Sequence, residues 1–221
     1  MTISTIGRAP LLAGVAYSAA WLVGLAIFSS STRVRASGAE VLAGYAGHQG
    51  VAAAQFVLTE VVTAVALAVV ALSLAHAGGD TRLAHAIRVT GLVAASIAVV
   101  QGVLGVALTT WAASGGHAGA AGALSETISR LDGMKMFVLA GLALAGGAIG
   151  ALPRWLRVVG FALTGAIVVS GVGYLFLLDG PAMAAWVSLP LLMLWVTGVG
   201  VVVARLPRRS WTYLVPDRAN R

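Results

Sequence analysis

Val51–Ala75 reads VAAAQFVLTEVVTAVALAVVALSLA, an unbroken apolar stretch in which Glu60 is the one acidic or basic side chain. A helix that crosses a bilayer needs about 20 mostly apolar residues, and this run is long enough. An ionisable side chain near the middle of such a helix costs about 2.5–3.5 kcal/mol on insertion scales, so it is expected to face a protein interior and to mark a pathway or a reactive site. The alternative is structural: a Glu60 that is simply protonated, or hydrogen-bonded to a neighbouring helix as glue.

Working outward from that run, five more of its kind appear. The six are Pro10–Phe28, Gly50–Ala75, Ala86–Ala112, Met134–Leu152, Trp155–Leu178 and Ala182–Ala204. With 59% hydrophobic and 10% charged residues and a mean hydropathy of +0.96, the 221-residue chain does not have the balance of a soluble domain. Alternating segments of about ten residues, which a membrane barrel needs, are absent. The sequence therefore predicts an all-α, polytopic transmembrane bundle of about six spans, a single domain over 1–221 that ends in a basic tail, 205–221. The first run, following Arg8, has the outline of a signal peptide, but its apolar core exceeds the usual 7–15 residues and is read as the first helix.

Six spans put both termini on one side. That side carries Arg8, Arg82, Arg88, Arg154, Arg157, Arg205, Arg208, Arg209, Arg218 and Arg221, against Arg33, Arg35, Arg130 and Lys135 on the other. The positive-inside rule then places both termini and the tail in the cytoplasm, with the protein in the cell inner (plasma) membrane. The net charge of +7 lies mainly in that tail, where attraction to anionic headgroups of the lipid bilayer accounts for it; no nucleic-acid partner is expected. No cysteine is present, which excludes disulfides, thiolate metal sites and a cysteine nucleophile. A composition rich in Ala, Gly, Val and Arg suggests a high-GC bacterial source.

The loops are short. The stretch ASGGHAGAAGALSETISRLDG before the fourth span reads as a glycine-rich linker followed by a short interfacial helix, with Leu124, Ile128 and Leu131 on one apolar face. Such a linker either covers a site or merely connects. Pro153 in LPRWLR and Asp179-Gly180-Pro181 mark tight turns, and Pro190 predicts a kink in the last span.

Depths can be compared once the topology is set. Glu60 lies about ten residues below the outer surface, roughly 15 Å at 1.5 Å per residue, and Gln101 in the outward-running third helix lies at nearly the same level. Phe56, Glu60, Thr63 and Leu67 form one stripe. Asp132 and Lys135, three residues apart, and Glu126 with Arg130, four apart, are spaced to pair at the headgroup level. Asp132 stands out because Gly133 beside it admits a close backbone and the sequence then turns apolar. Tyr174 completes a polar set in the outer half, and Trp195 lies deep in the last helix, where a ring face stabilises a cation or simply packs. His48, His76, His85 and His117 form no HxxxH or HExxH pattern and no phosphate-loop motif occurs, so no metal and no cofactor are expected.

GRAPLLAGVAY, AGHQGVAAAQFVLTE, RLDGMKMF, LPRWLRVVG and SLPLLMLW resemble segments of actinobacterial six-helix integral membrane proteins of uncharacterised function. In size and acid placement the chain is also similar to the small bacterial integral-membrane terpene cyclases that close prenyl chains on indole-type alkaloids. The second resemblance implies an enzyme of secondary metabolism that protonates an olefin or epoxide of a hydrophobic, prenylated small molecule. Acid-initiated closure needs a protonated carboxyl in a dry cavity, aromatic faces for the carbocation and a final proton acceptor. Glu60 is the candidate acid and Asp132 its partner or the final base, with Gln101, Tyr174, Phe56 and Trp195 against the substrate. A small proton-coupled transporter, in which six helices would have to form a homo-oligomer, and a non-catalytic membrane scaffold are the competing readings.

Overall fold

A computed structural model describes residues 7–29 and 33–206. The chain is an all-α multi-pass membrane bundle. Its elements are α1 (Ala9–Ile27), a short α2 (Gly38–Tyr45), α3 (Gln49–Ala77), α4 (Arg82–Ala113), α5 (Ala118–Ala148), α6 (Arg154–Leu175) and α7 (Ala185–Arg205). All but α2 are long and apolar enough to span a bilayer. The expected basic tail, Arg205 and Leu206 apart, lies outside the described residues.

The six long helices form a closed ring in which α1 packs on α3, α3 on α4, α4 on α5, α5 on α6, α6 on α7 and α7 back on α1. The closing contact is close because it is lined by small residues: a Cβ at Gly14 would lie 3.1 Å from Thr197 Cα. A polar seam reinforces it, with Ser18 Oγ 2.7 Å from Thr197 Oγ1 and Thr197 Oγ1 donating to the Gly14 carbonyl at 2.8 Å. Small residues and hydroxyls are what join helices in lipid, where apolar side chains gain little by leaving the tails for one another. Leu12, Val15, Val65, Val103 and Val158 face outward accordingly.

The fourth expected span differs most from the structure. Instead of a linker, an interfacial helix and a new start at Met134, α5 runs without a break over 31 residues from Ala118. The link before it is only Ser114 to His117, with Gly116 at φ +67°, a backbone conformation that glycine adopts without penalty. The apolar face expected to lie in the interface is covered by protein. Leu124 and Ile128 pack on Val41 and Tyr45 of α2, an element the sequence reading did not anticipate. Ser37 and Glu40 close a capping box that starts α2, with Glu40 Oε2 accepting from the Ser37 backbone N–H at 2.7 Å.

Half of the ring interior is solid. Towards the end that carries the 78–81 and 149–153 turns, Leu74, Ile87, Leu142, Leu163 and Trp195 are almost fully buried in one continuous core. Towards the α2 end it is hollow.

Candidate functional site

The sequence departs from ordinary helix where the hollow half begins. In α3, residues Val57–Val62 form a π-helical turn around Glu60, the kind of local widening that recurs at functional sites. Hydroxyls support the altered backbone: Thr59 Oγ1 donates to the Gln55 carbonyl at 3.0 Å, and Thr63 Oγ1 donates to the carbonyls of Thr59 and Glu60. A second π-helical turn, Leu108–Ala113 in α4, is supported in the same way by Thr109, Thr110 and Ser114.

Glu60 points into the ring and is not alone there. Lys135 Nζ donates to Glu60 Oε2 at 2.8 Å and sits 2.8 Å from Asp132 Oδ1. The Lys135 side chain is 9% exposed, Glu60 10% and Asp132 21%, so the triad is set apart from the Glu126–Arg130 pair, which is half exposed on the outside of α5 as expected of a headgroup pair. The i, i+3 pairing of Asp132 with Lys135 was legible in the spacing. The helix entrance expected at Asp132 and Lys135 is corrected: because α5 begins at Ala118, Lys135 falls about 17 residues into the helix, roughly 25 Å along it, and its ammonium bridges α5 to α3 across the interior of the ring.

Gln101 extends the network. Its Nε2 donates to Asp132 Oδ1 at 3.3 Å and to the Ile128 carbonyl at 3.2 Å, and its level with Glu60 follows from the contact between their helices: a Cβ at Gly102 would lie 3.3 Å from Glu60 Cβ.

The triad forms part of the wall of the larger of two contiguous hollows, and its two acids border the smaller as well. The larger has a volume of about 600 Å³ and a predominantly apolar wall that includes Leu67, Leu139, Ile167 and Leu192 at its floor and Tyr17, Trp21 and Tyr174 beside the acids. Residues of the α2-end connections, Ser29, Arg33, Asp179 and Met183, line its upper part. The smaller chamber, about 250 Å³, lies on the α3, α4 and α5 side and is lined by Phe56, Gln55, Gln101, Ser129 and Tyr45. Glu60, Asp132 and Tyr174 border both.

Five of the six residues expected at the site are thereby brought together: Glu60, Asp132, Gln101, Tyr174 and Phe56. Trp195 is elsewhere. It is a core residue, its ring against the glycines Gly146 and Gly160 in the solid half, and it borders neither hollow because α7 carries it one turn below the cavity floor at Leu192. Tyr17 and Trp21 supply the aromatic faces instead; they lie four residues apart on α1, a helical spacing that puts both on the inner face. Lys135 was the other participant missed, and its signal was a cation between Met134 and Met136 rather than among polar neighbours.

No family model, no curated protein and no solved structure matches this chain. Among the described residues no group of three or more His, Asp or Glu side chains is arranged to hold a metal ion.

Proposed function

We propose that the chain is an integral-membrane cyclase in the plasma membrane, with both termini cytoplasmic, that closes rings in a prenylated hydrophobic molecule by protonating an olefin or epoxide. One observation carries the reading: two carboxylates sharing a single ammonium stand on the wall of an apolar, blind-ended cavity of about 600 Å³.

The charge count suits the chemistry. With one proton on Glu60 the triad is neutral, as carboxyl, ammonium and carboxylate. Transfer of that proton to an olefin breaks the C=C π bond and makes a C–H bond; transfer to an epoxide makes an O–H bond and opens the C–O bond. The substrate becomes a cation and the triad an anion, an ion pair beside a predominantly apolar wall, where opposite charges attract more strongly than in bulk water. The next C=C attacks the cation and closes a ring, while the faces of Tyr17, Trp21 and Tyr174 stabilise positive charge passing along the chain. Loss of a proton from the carbon next to the final cation to Asp132 ends the sequence. Lys135 then gives a proton to Glu60 and recovers one from Asp132, so that the overall change is an isomerisation and nothing else is consumed. Gln101 is a positioning residue for Asp132.

Proton-coupled transport would use the same acids, but it would need a route through Leu74, Ile87, Leu142, Leu163 and Trp195, which fill the ring below the cavity.

The test is turnover in lipid nanodiscs prepared in D2O, with prenylated aromatic compounds and their terminal epoxides as substrates. Cyclised product with a deuteron at the initiating carbon or oxygen is expected from the parent chain and not from Glu60→Gln or Asp132→Asn. Retained turnover in both variants, with helicity and thermal stability intact, overturns the proposal. A flux driven by a pH gradient in liposomes, abolished by Glu60→Gln and accompanied by no product, would establish the transporter instead.

A further inference from the structure

The smaller chamber differs in kind from the cavity beside it. Its wall is acceptor-rich: the carboxylates of Glu60 and Asp132 border it, and so does the amide of Gln101. The orientation of that amide is fixed, because its nitrogen has two acceptors in reach, Asp132 Oδ1 at 3.3 Å and the Ile128 carbonyl at 3.2 Å, and only NH2 can serve both. Gln101 Oε1 is thus left as an acceptor, in a residue 1% exposed, with no hydrogen-bond partner among the described residues. A buried acceptor without a donor is destabilising, and a bound donor would remove that penalty. The electrostatics point the same way, since Asp132 borders this chamber whereas Lys135 lines only the larger cavity.

We propose that the 250 Å³ chamber is a headgroup subsite for a protonated primary or secondary amine whose apolar chain occupies the larger cavity, the N–H groups donating to Gln101 Oε1 and to the Asp132 carboxylate. An ammonium meets each requirement of the chamber: it supplies the missing donor, its charge is opposite to that of the Asp132 carboxylate, and the two hollows, which share Leu25, Ser29 and Tyr174 as well as the acids, are continuous enough for one molecule to span them. The substrate class of the proposed cyclase narrows accordingly to lipophilic amines, and to that extent the assignment rests on the cyclase reading.

Binding tests it separately from turnover. The full chain in zwitterionic nanodiscs, with empty nanodiscs subtracted, would be titrated at pH 7 with hexadecylamine, hexadecyltrimethylammonium and hexadecanoate, which share a tail and differ in charge and in N–H donors. Hexadecylamine is expected to bind at least about tenfold more tightly than either of the others, the margin of one charge-assisted hydrogen bond. Gln101→Leu should erase the preference over the trimethylated amine, and Asp132→Asn the preference over the carboxylate, each leaving hexadecanoate binding unchanged or improved. Equal binding of the three probes, or an amine preference that survives both substitutions, overturns the subsite. Should Gln101→Leu fail to fold, the Asp132→Asn titration and the three-probe comparison on the parent chain decide alone. An amine preference without cyclisation of any prenylated amine retains the subsite and sinks the cyclase; cyclisation without an amine preference does the reverse.

Discussion

Lys135 and Glu60, 75 positions apart in the chain, meet at 2.8 Å across the interior of the ring, although their helices α5 and α3 are separated around the ring by α4. The ion pair is therefore a strut, and its second anchor is Asp132 on the same helix as the lysine. Breaking a buried pair by removing one partner leaves an uncompensated charge and is costly, typically about 3–5 kcal/mol.

Lys135→Met is accordingly expected to destabilise the protein by about 3 kcal/mol, because it leaves Glu60 and Asp132 facing each other without their cation. Glu60→Gln should cost less, since Lys135 keeps Asp132. The combination Lys135→Met with Glu60→Gln should recover part of the loss, a non-additivity of more than about 0.5 kcal/mol. Unfolding free energies measured in bicelles or nanodiscs for the three variants provide the check, and strict additivity would contradict the strut.

At Gly133, α5 and α6 approach backbone to backbone. A Cβ there would stand 2.5 Å from the Leu175 backbone nitrogen, and the obstacle is main chain, which cannot rotate away. Gly133→Ala is expected to cost about 1–3 kcal/mol, the usual penalty of overpacking, and to displace Tyr174 next to Leu175, weakening ligand binding as well. Thermal unfolding together with hexadecylamine titration reads both effects.

Leu189 of α7 lies on the wall of the larger cavity and is only partly buried. Leu189→Trp puts a large ring into that space from a helix that carries none of the triad. Binding of long-chain ligands should fall by an order of magnitude or more, while the melting temperature holds or rises as the hollow fills. Unchanged binding would mean that the apolar chain does not lie there.

The α2 cap should respond to acid. The Ser37 backbone N–H, and secondarily its hydroxyl, hold the Glu40 carboxyl below its ordinary value. A depressed value means that the carboxylate stabilises the cap at and above the ordinary carboxylate range, and that this contribution is lost as the pH falls through the depressed folded-state value. Amide exchange of Ser37 to Val41, corrected for intrinsic rates, should therefore quicken on acidification in the parent chain. In Glu40→Gln, which keeps an acceptor but cannot titrate, protection should be independent of pH.

How much of this could be read from residues differs by feature. The spans were legible because a lipid-crossing helix announces itself by composition alone: Pro10–Phe28 became Ala9–Ile27, and Gly50–Ala75 became Gln49–Ala77. The start of α5 was not, because Ala118–Leu131 carries glycine, serine and charge, which weigh against a membrane helix. A helix over Leu124, Ile128 and Leu131 was expected; what the residues did not reveal is that it starts at Ala118, runs unbroken into the span and packs against a cluster that includes Val41 and Tyr45 of α2. That one displacement also hid Lys135, whose depth is counted from the helix start. Glu60, Asp132 and Gln101 were recoverable since depth along two or three helices needs only rise per residue. Tyr17 was missed and Trp195 misplaced for a shared reason: which face of a helix looks inward depends on its rotation, and helices that are apolar all round do not encode rotation in their pattern.

The closure of the ring by α1 on α7 has a consequence for biosynthesis. Ser18 and Thr197 are 179 positions apart, so the first helix to enter the membrane waits for the last before its polar seam is satisfied. Until Ala185–Arg205 has been made and inserted, Tyr17 and Trp21 line an open trough facing lipid, and the pocket comes into being as the final event of assembly. A nascent chain stalled ahead of α7 should hence carry all the acidic residues of the site in place and still capture no ligand, so that the last helix acts as the quality checkpoint of the whole protein.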